Sequence, residues 1–164
     1  KMEVAGIEEL LTALCVPDNE KRNAAENSYE NVKSTSPNEL AQQLMGVLNS
    51  DTCAPHLKVL AAVLLRRLVT GSTSEWDNMS PEMKQFIRDN LVEFMTKDGD
   101  NNLRRKACDT LAELASELLE GSGVAGWPNL MQALMSLVNH QGAAQREVAL
   151  EIFSRIASYL IPHM

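Results

Sequence analysis

Apolar residues recur at helical spacing along almost the whole chain, and no stretch alternates with the two-residue period of a half-buried strand. Val4, Ile7, Leu10, Leu11 and Leu14 share one face of a first helix. Pro17-Asp18-Asn19 interrupts it, and Asp18 is a predicted N-cap for a second helix carrying Ala25, Tyr29 and Val32. Ser34 to Pro37 breaks the pattern again. Ser36 and Glu39 read as a capping box, with Pro37 at the first helical position and Leu40, Leu44, Val47 and Leu48 following. A turn at Asp51 to Pro55 leads into a strongly helical 56–70, and Gly71 to Ser74 is a loop. Ser80-Pro81 opens a helix carrying Met83, Phe86, Ile87, Leu91 and Phe94, and Asp98-Gly99-Asp100 turns the chain. A long helix is predicted over 102–120, another after Trp127-Pro128, and a last one over 143–161. The sum is eight helices, no strand, and an all-α fold class.

The even-numbered helices repeat one another. Ala25, Ala61, Ala107 and Ala149 align, each with a base three residues earlier: Arg22, Lys58, Arg104, Arg146. Four residues after each alanine stands Tyr29, Leu65, Leu111 or Phe153, and seven after it Val32, Leu68, Leu114 or Ile156. These positions share one helical face, on which the alanine admits a neighbouring helix closely and the larger side chains fill the space beside it. The alanines are 36, 46 and 42 residues apart, and helix pairs at about 40–47 residues mark HEAT or armadillo repeats. The expected architecture is an α-solenoid of about four HEAT repeats, over about 4–34, 36–71, 80–121 and 127–161, in one domain covering 1–164. The recurring base is read as structural, reaching back to an acid or carbonyl of the preceding turn.

In such a solenoid the second helix of each pair lines the partner-facing side. The outward positions of those helices hold Asn23, Asn27, Glu30 and Asn31, then Val59, Val63, Arg66 and Arg67, then Arg105, Asp109, Ala112 and Glu113, then Glu147, Glu151, Ser154 and Arg155. Val59 and Val63 are apolar where the other repeats are polar. They are either covered by the flanking repeats or an exposed strip beside Arg66 and Arg67, and exposure separates the two. Asp109, Glu113 and Glu117 form an acidic stripe, a solvated face or a site for a basic partner.

Composition narrows the functions. A net charge of −7 speaks against nucleic acid or anionic lipid as a partner. Cys15, Cys53 and Cys108 are too few and too irregularly spaced for a disulfide framework. Cys15 and Cys108 fall at core positions, Cys53 in a turn open to solvent. His56, His140 and His163 are isolated, so no metal site is expected. Gly121, Gly123 and Gly126 spell a dinucleotide-binding pattern, but after a helix rather than a strand. No catalytic residue, cofactor or enzyme activity is predicted. The methionines at 45, 83, 95, 131 and 135 are read as core fillers. No secretory signal opens the chain. The chain is expected to be a piece of something longer, with an uncovered apolar edge at its last repeat and contacts between copies there.

Several strings then identify a resemblance: Ala25-Glu26-Asn27-Ser28-Tyr29-Glu30-Asn31, residues 61–68 (AAVLLRRL), residues 104–115 (RRKACDTLAELA) and Trp127-Pro128. They are similar in order and spacing to the N-terminal end of importin-beta (karyopherin-beta) receptors, closest to the importin beta-three branch. The resemblance implies a nuclear import receptor that shuttles between cytoplasm and nucleus. It implies three partners: Ran GTPase in its GTP form, protein cargo with basic localisation signals, and nucleoporins. Cargo and nucleoporins would bind mainly further along the family's chain. In the family the first repeats touch the Ran switch regions, which are ordered only with GTP bound. Carried over by helix phase, that surface falls on Asn23, Asn27, Glu30, Val63, Arg66, Arg67, Arg105, Asp109 and Glu113. The same period also supports a structural scaffold of a phosphatase or chromosome-organising complex, although the unequal spacing of 36, 46 and 42 residues is less uniform than such scaffolds tend to be.

Overall fold

Helix α1 (Val4–Leu14) opens a series of eight α-helices: α2 (Asn19–Thr35), α3 (Pro37–Leu48), α4 (Pro55–Val69), α5 (Pro81–Thr96), α6 (Asn101–Ser122), α7 (Leu130–Val138) and α8 (Ala143–Leu160). Two short 3-10 segments, Trp76–Asn78 and Gly123–Gly126, complete the order. The structure is a computed structural model, described here over residues 4–161, with side chains from residue 6. No strand occurs among the described residues. The expectations at Lys1 to Glu3, at the Val4 side chain and at His163 lie outside the described residues. No described helix is long and apolar enough to cross a membrane.

The chain divides into two compact units, Lys1–Ile87 and Arg88–Met164, with the division inside α5. In the first unit α1 pairs with α2 and α3 with α4, and the two hairpins stack through α1 against α3 and α4, and α2 against α3. Ile7, Leu11, Leu40, Leu44, Leu65 and Leu68 are fully buried between them. Ala25 and Ala61 are buried as well, as close helix approach requires. In the second unit α8 packs on both α6 and α7, and the 3-10 segment Gly123–Gly126 lies along α6. Leu111, Leu114, Leu134, Ala149, Ile152 and Ile156 form its core.

Local signals explain most helix limits. Asp18 caps α2, its carboxylate accepting from the backbone N–H groups of Glu20 and Lys21 at 3.0 and 3.2 Å. Asp100 caps α6 in the same way through Leu103 N at 3.0 Å. The capping box expected at Ser36 does not form, because the serine side chain makes no cap bond. Ser36 instead joins α2 to α3 with its backbone: its N–H donates to the Val32 carbonyl, and its own carbonyl accepts from Leu40. Gly123 ends α6 at φ 60°, a conformation that favours glycine. A Cβ at Gly126 would stand 2.3 Å from the Leu118 carbonyl, so glycine is needed for the segment to lie on α6. The glycine pattern at 121–126 is thus a helix end and a close packing contact.

Three cores differ from expectation. Cys15 is exposed, one residue beyond α1, where the helical phase that placed it inside no longer applies. Cys53 is buried, because its turn folds under α1 and its Sγ donates to Glu8 Oε1 at 2.6 Å. Met135 is half exposed on α7, whereas Met45 and Met95 fill core as expected. Met135, Leu150 and Ile161 are the large apolar side chains left exposed on the last two helices and just after them.

Candidate partner-binding surfaces

Three of the four bases that precede the repeating alanines, Arg22, Arg104 and Arg146, serve the fold. Arg22 donates to Asn19 Oδ1. Arg104 is buried and binds both Asn101 Oδ1 at 2.6 Å and the Lys97 carbonyl at 2.7 Å. Arg146 donates to the carbonyls of His140 and Gln141 at 2.8 and 2.7 Å. Each reaches to or just before the first turn of its own helix, where a guanidinium satisfies otherwise unpaired acceptors.

In the first unit the outward face is built by α2 and α4. Asn23, Asn27 and Glu30 are exposed on α2, and Arg66 and Arg67 on α4. Val59 and Val63 are half-buried, which makes them neither core nor a bare strip. They form an apolar shoulder beside the arginines. Tyr29 lies buried behind this face, and burial, reinforced by the Glu30 carboxylate, pushes its phenol well above the usual range while Arg67 opposes the shift. One hydroxyl thus feels both Glu30 of α2 and Arg67 of α4, which places the two charges on adjoining ground.

In the second unit α6 and α8 build the corresponding face. Arg105 is exposed, and Asp109 and Glu113 are half-buried. Ala112, expected to face outward with them, is fully buried, so the accessible face of α6 is narrower than its helix phase predicts. The acidic stripe also carries a cation. Arg155 Nη1 of α8 donates to Asp109 Oδ1 at 2.7 Å, and Glu151 Oε1 stands 3.9 Å from the same nitrogen. Cys108 is buried beneath, and its thiol is pushed up to about 12, first by burial and then by Glu151. Sequence phase alone did not reveal the Arg155 contact, which joins residues 46 apart. Among the described residues no three His, Cys, Asp or Glu side chains gather as a metal site.

Two family models match the chain: the importin-beta N-terminal domain over residues 25–97, and the IPO5-like TPR repeats over residues 99–162. The chain belongs to the importin-beta family. Mouse importin-4 is 24% identical over 157 residues, 96% of this chain but 14% of that protein. Human importin-4 matches to the same extent. Among solved structures, Kap95p, whose binding induces the switch loops of RanGDP to adopt the GTP-bound conformation, superposes with a TM-score of 0.79 at 22% identity. That match covers 98% of this chain and 20% of Kap95p. Kap121p bound to RanGTP gives 0.75 at 21% identity, over 95% of this chain and 14% of that one. Other Kap121p structures hold the SUMO protease Ulp1p and Nup53p. These neighbours share the all-α HEAT solenoid fold, and the chain spans about one seventh of the length of the importin-4 proteins it matches. Importin-beta family transport receptors are not enzymes.

Proposed function

We propose that this chain is the Ran-binding N-terminal part of a nuclear import receptor. In this reading the whole receptor carries protein cargo with basic localisation signals through the nuclear pore, touches nucleoporins on the way, and shuttles between cytoplasm and nucleus. The receptor is longer than this chain, which spans 14% of importin-4. The match of residues 99–162 to IPO5-like repeats supports the importin beta-three branch.

One observation carries the reading. The importin-beta N-terminal domain match spans Asn27, Glu30, Val63, Arg66 and Arg67, and all five are accessible on the outward faces of α2 and α4. Asn23 extends that face on α2, and Arg105, Asp109 and Glu113 are the proposed contacts in the second unit. Exposed amides and guanidinium groups beside an apolar shoulder suit a partner with polar and acidic groups around an apolar anchor. The GTP form of Ran is selected because its switch segments are ordered only with the γ-phosphate in place.

The test is titration of the full-length receptor with Ran loaded with GTP or with GDP. Binding to the GTP form alone, weakened by Arg66→Glu with Arg67→Glu, is the expected result. Equal binding to both forms, or to neither, overturns the proposal.

A further inference from the structure

The proposed partner face in the second unit contains a charge that is already engaged. Asp109 of α6 is 40% exposed, yet one of its carboxylate oxygens accepts from Arg155 of α8 at 2.7 Å. Arg155 is itself 34% exposed and has Glu151 one turn earlier on its own helix, 3.9 Å from the same nitrogen. The three side chains form a relay running from Glu151 through Arg155 to Asp109. A carboxylate has acceptor capacity for several hydrogen bonds, so a single bond to Arg155 leaves Asp109 able to receive a partner's donor. What the bond removes is freedom: a charge-assisted contact held from the neighbouring helix fixes where the carboxylate stands.

We propose that Arg155 is a positioning residue of the partner face: its 2.7 Å bond holds the Asp109 carboxylate of α6 in the orientation in which Ran meets it. The inference rests on the Ran-binding reading. It adds to it a residue that helix phase put on the outward face but outside the proposed Ran surface, and a device that extends over two helices. The repeat supports it. Asp109 stands two residues after Ala107, and Arg155 six after Ala149. In the first unit the same offsets give Asn27 after Ala25 and Arg67 after Ala61. There too the arginine of the later helix acts on the earlier one, since Arg67 opposes the upward shift of the Tyr29 phenol. An arginine therefore stands at this register in both units, and its bond to the preceding repeat is seen in the second. In the second unit it has a carboxylate to hold.

The experiment measures affinity for Ran loaded with GTP across a set of full-length receptor variants, with the melting temperature of each. Arg155→Ala is expected to weaken binding about two- to five-fold, the scale of a partly exposed ion pair. Arg155→Lys, which keeps one donor, is expected to recover most of that loss. In an Asp109→Ala background, Arg155→Ala is expected to change affinity no further, because its effect passes through the carboxylate. The exchange Asp109→Arg with Arg155→Asp separates positioning from simple stapling of α6 to α8. It rebuilds the pair and so restores the melting temperature, but it takes the carboxylate off α6 and leaves binding weak. Three results overturn the inference while the Ran reading stands: unchanged affinity in Arg155→Ala, an equal loss in the Asp109→Ala background, or full affinity in the exchange. A wild-type receptor that binds no Ran overturns both, and it is recognised before any variant is read.

Discussion

Three cysteines occupy three environments, and their chemistry separates accordingly. Cys15 is exposed, while Cys53 and Cys108 are buried. Burial pushes both inner thiols up, Cys53 also through its bond to Glu8 and Cys108 to about 12. The thiolate is the reactive form. Alkylation of the native protein at neutral pH, followed by peptide mass analysis, should therefore label Cys15 first and the other two only on unfolding. The Cys108 shift also sets a pH dependence. In the unfolded chain its thiol ionises near its usual value of 9.0, whereas the folded protein keeps the proton until about 12. The unfolded state then binds fewer protons, so stability falls as pH rises through this window. Below pH 9 the contribution is complete. Denaturant titrations at pH 8, 9.5 and 10.5 should show a decline above 9 that Cys108→Ala reduces. Neither Cys15 nor Cys53 was placed correctly by sequence. The first lies just past a helix end, and the second is buried by a contact with Glu8, 45 residues away. Periodicity carries no information about either circumstance.

At the level of helices the sequence was most legible, because caps and apolar phase are local. All eight helices begin and end near their predicted limits. The two serine and aspartate caps on either side of α2 nevertheless behave differently. Asp18→Ala should cost about 0.5–2 kcal/mol, since two backbone donors lose their acceptor. Ser36→Ala should cost far less, since no side-chain bond is lost. Thermal denaturation of the two variants tests the contrast. The capping box was misread because its motif specifies residue types, whereas the bond needs a backbone geometry that a shared helix joint does not provide. Arg104 carries a larger load. The Lys97 carbonyl accepts from Arg104 Nη2 at 2.7 Å and also receives Gln145 Nε2 at 3.5 Å, so the turn after α5 is tied to both α6 and α8. Arg104→Met keeps the buried length but removes the donors, and should cost about 1.5–3 kcal/mol by denaturant unfolding.

For the molecule as a whole, the sequence disclosed the repeat and, through it, which residues face outward. Of the nine proposed contact residues, each is exposed or half-buried, and none was lost to a core. What helix phase left out was the traffic between helices: the burial of Ala112 and the bond from Arg155 to Asp109 both depend on a neighbour whose position the sequence does not state. Another such feature is the joint at Ser36, where a single residue closes α2 and opens α3. A hinge made of one residue has only one pair of torsions to adjust, and no slack. Grafting two or three extra residues between Thr35 and Pro37 should therefore sharply lower the melting temperature. The same graft between Gly71 and Thr73, in the exposed loop after α4, should be borne with little change. Added length is thus expected to be borne at the crest after the second hairpin, while the passage from the first hairpin to the second works as a fixed-gauge coupling.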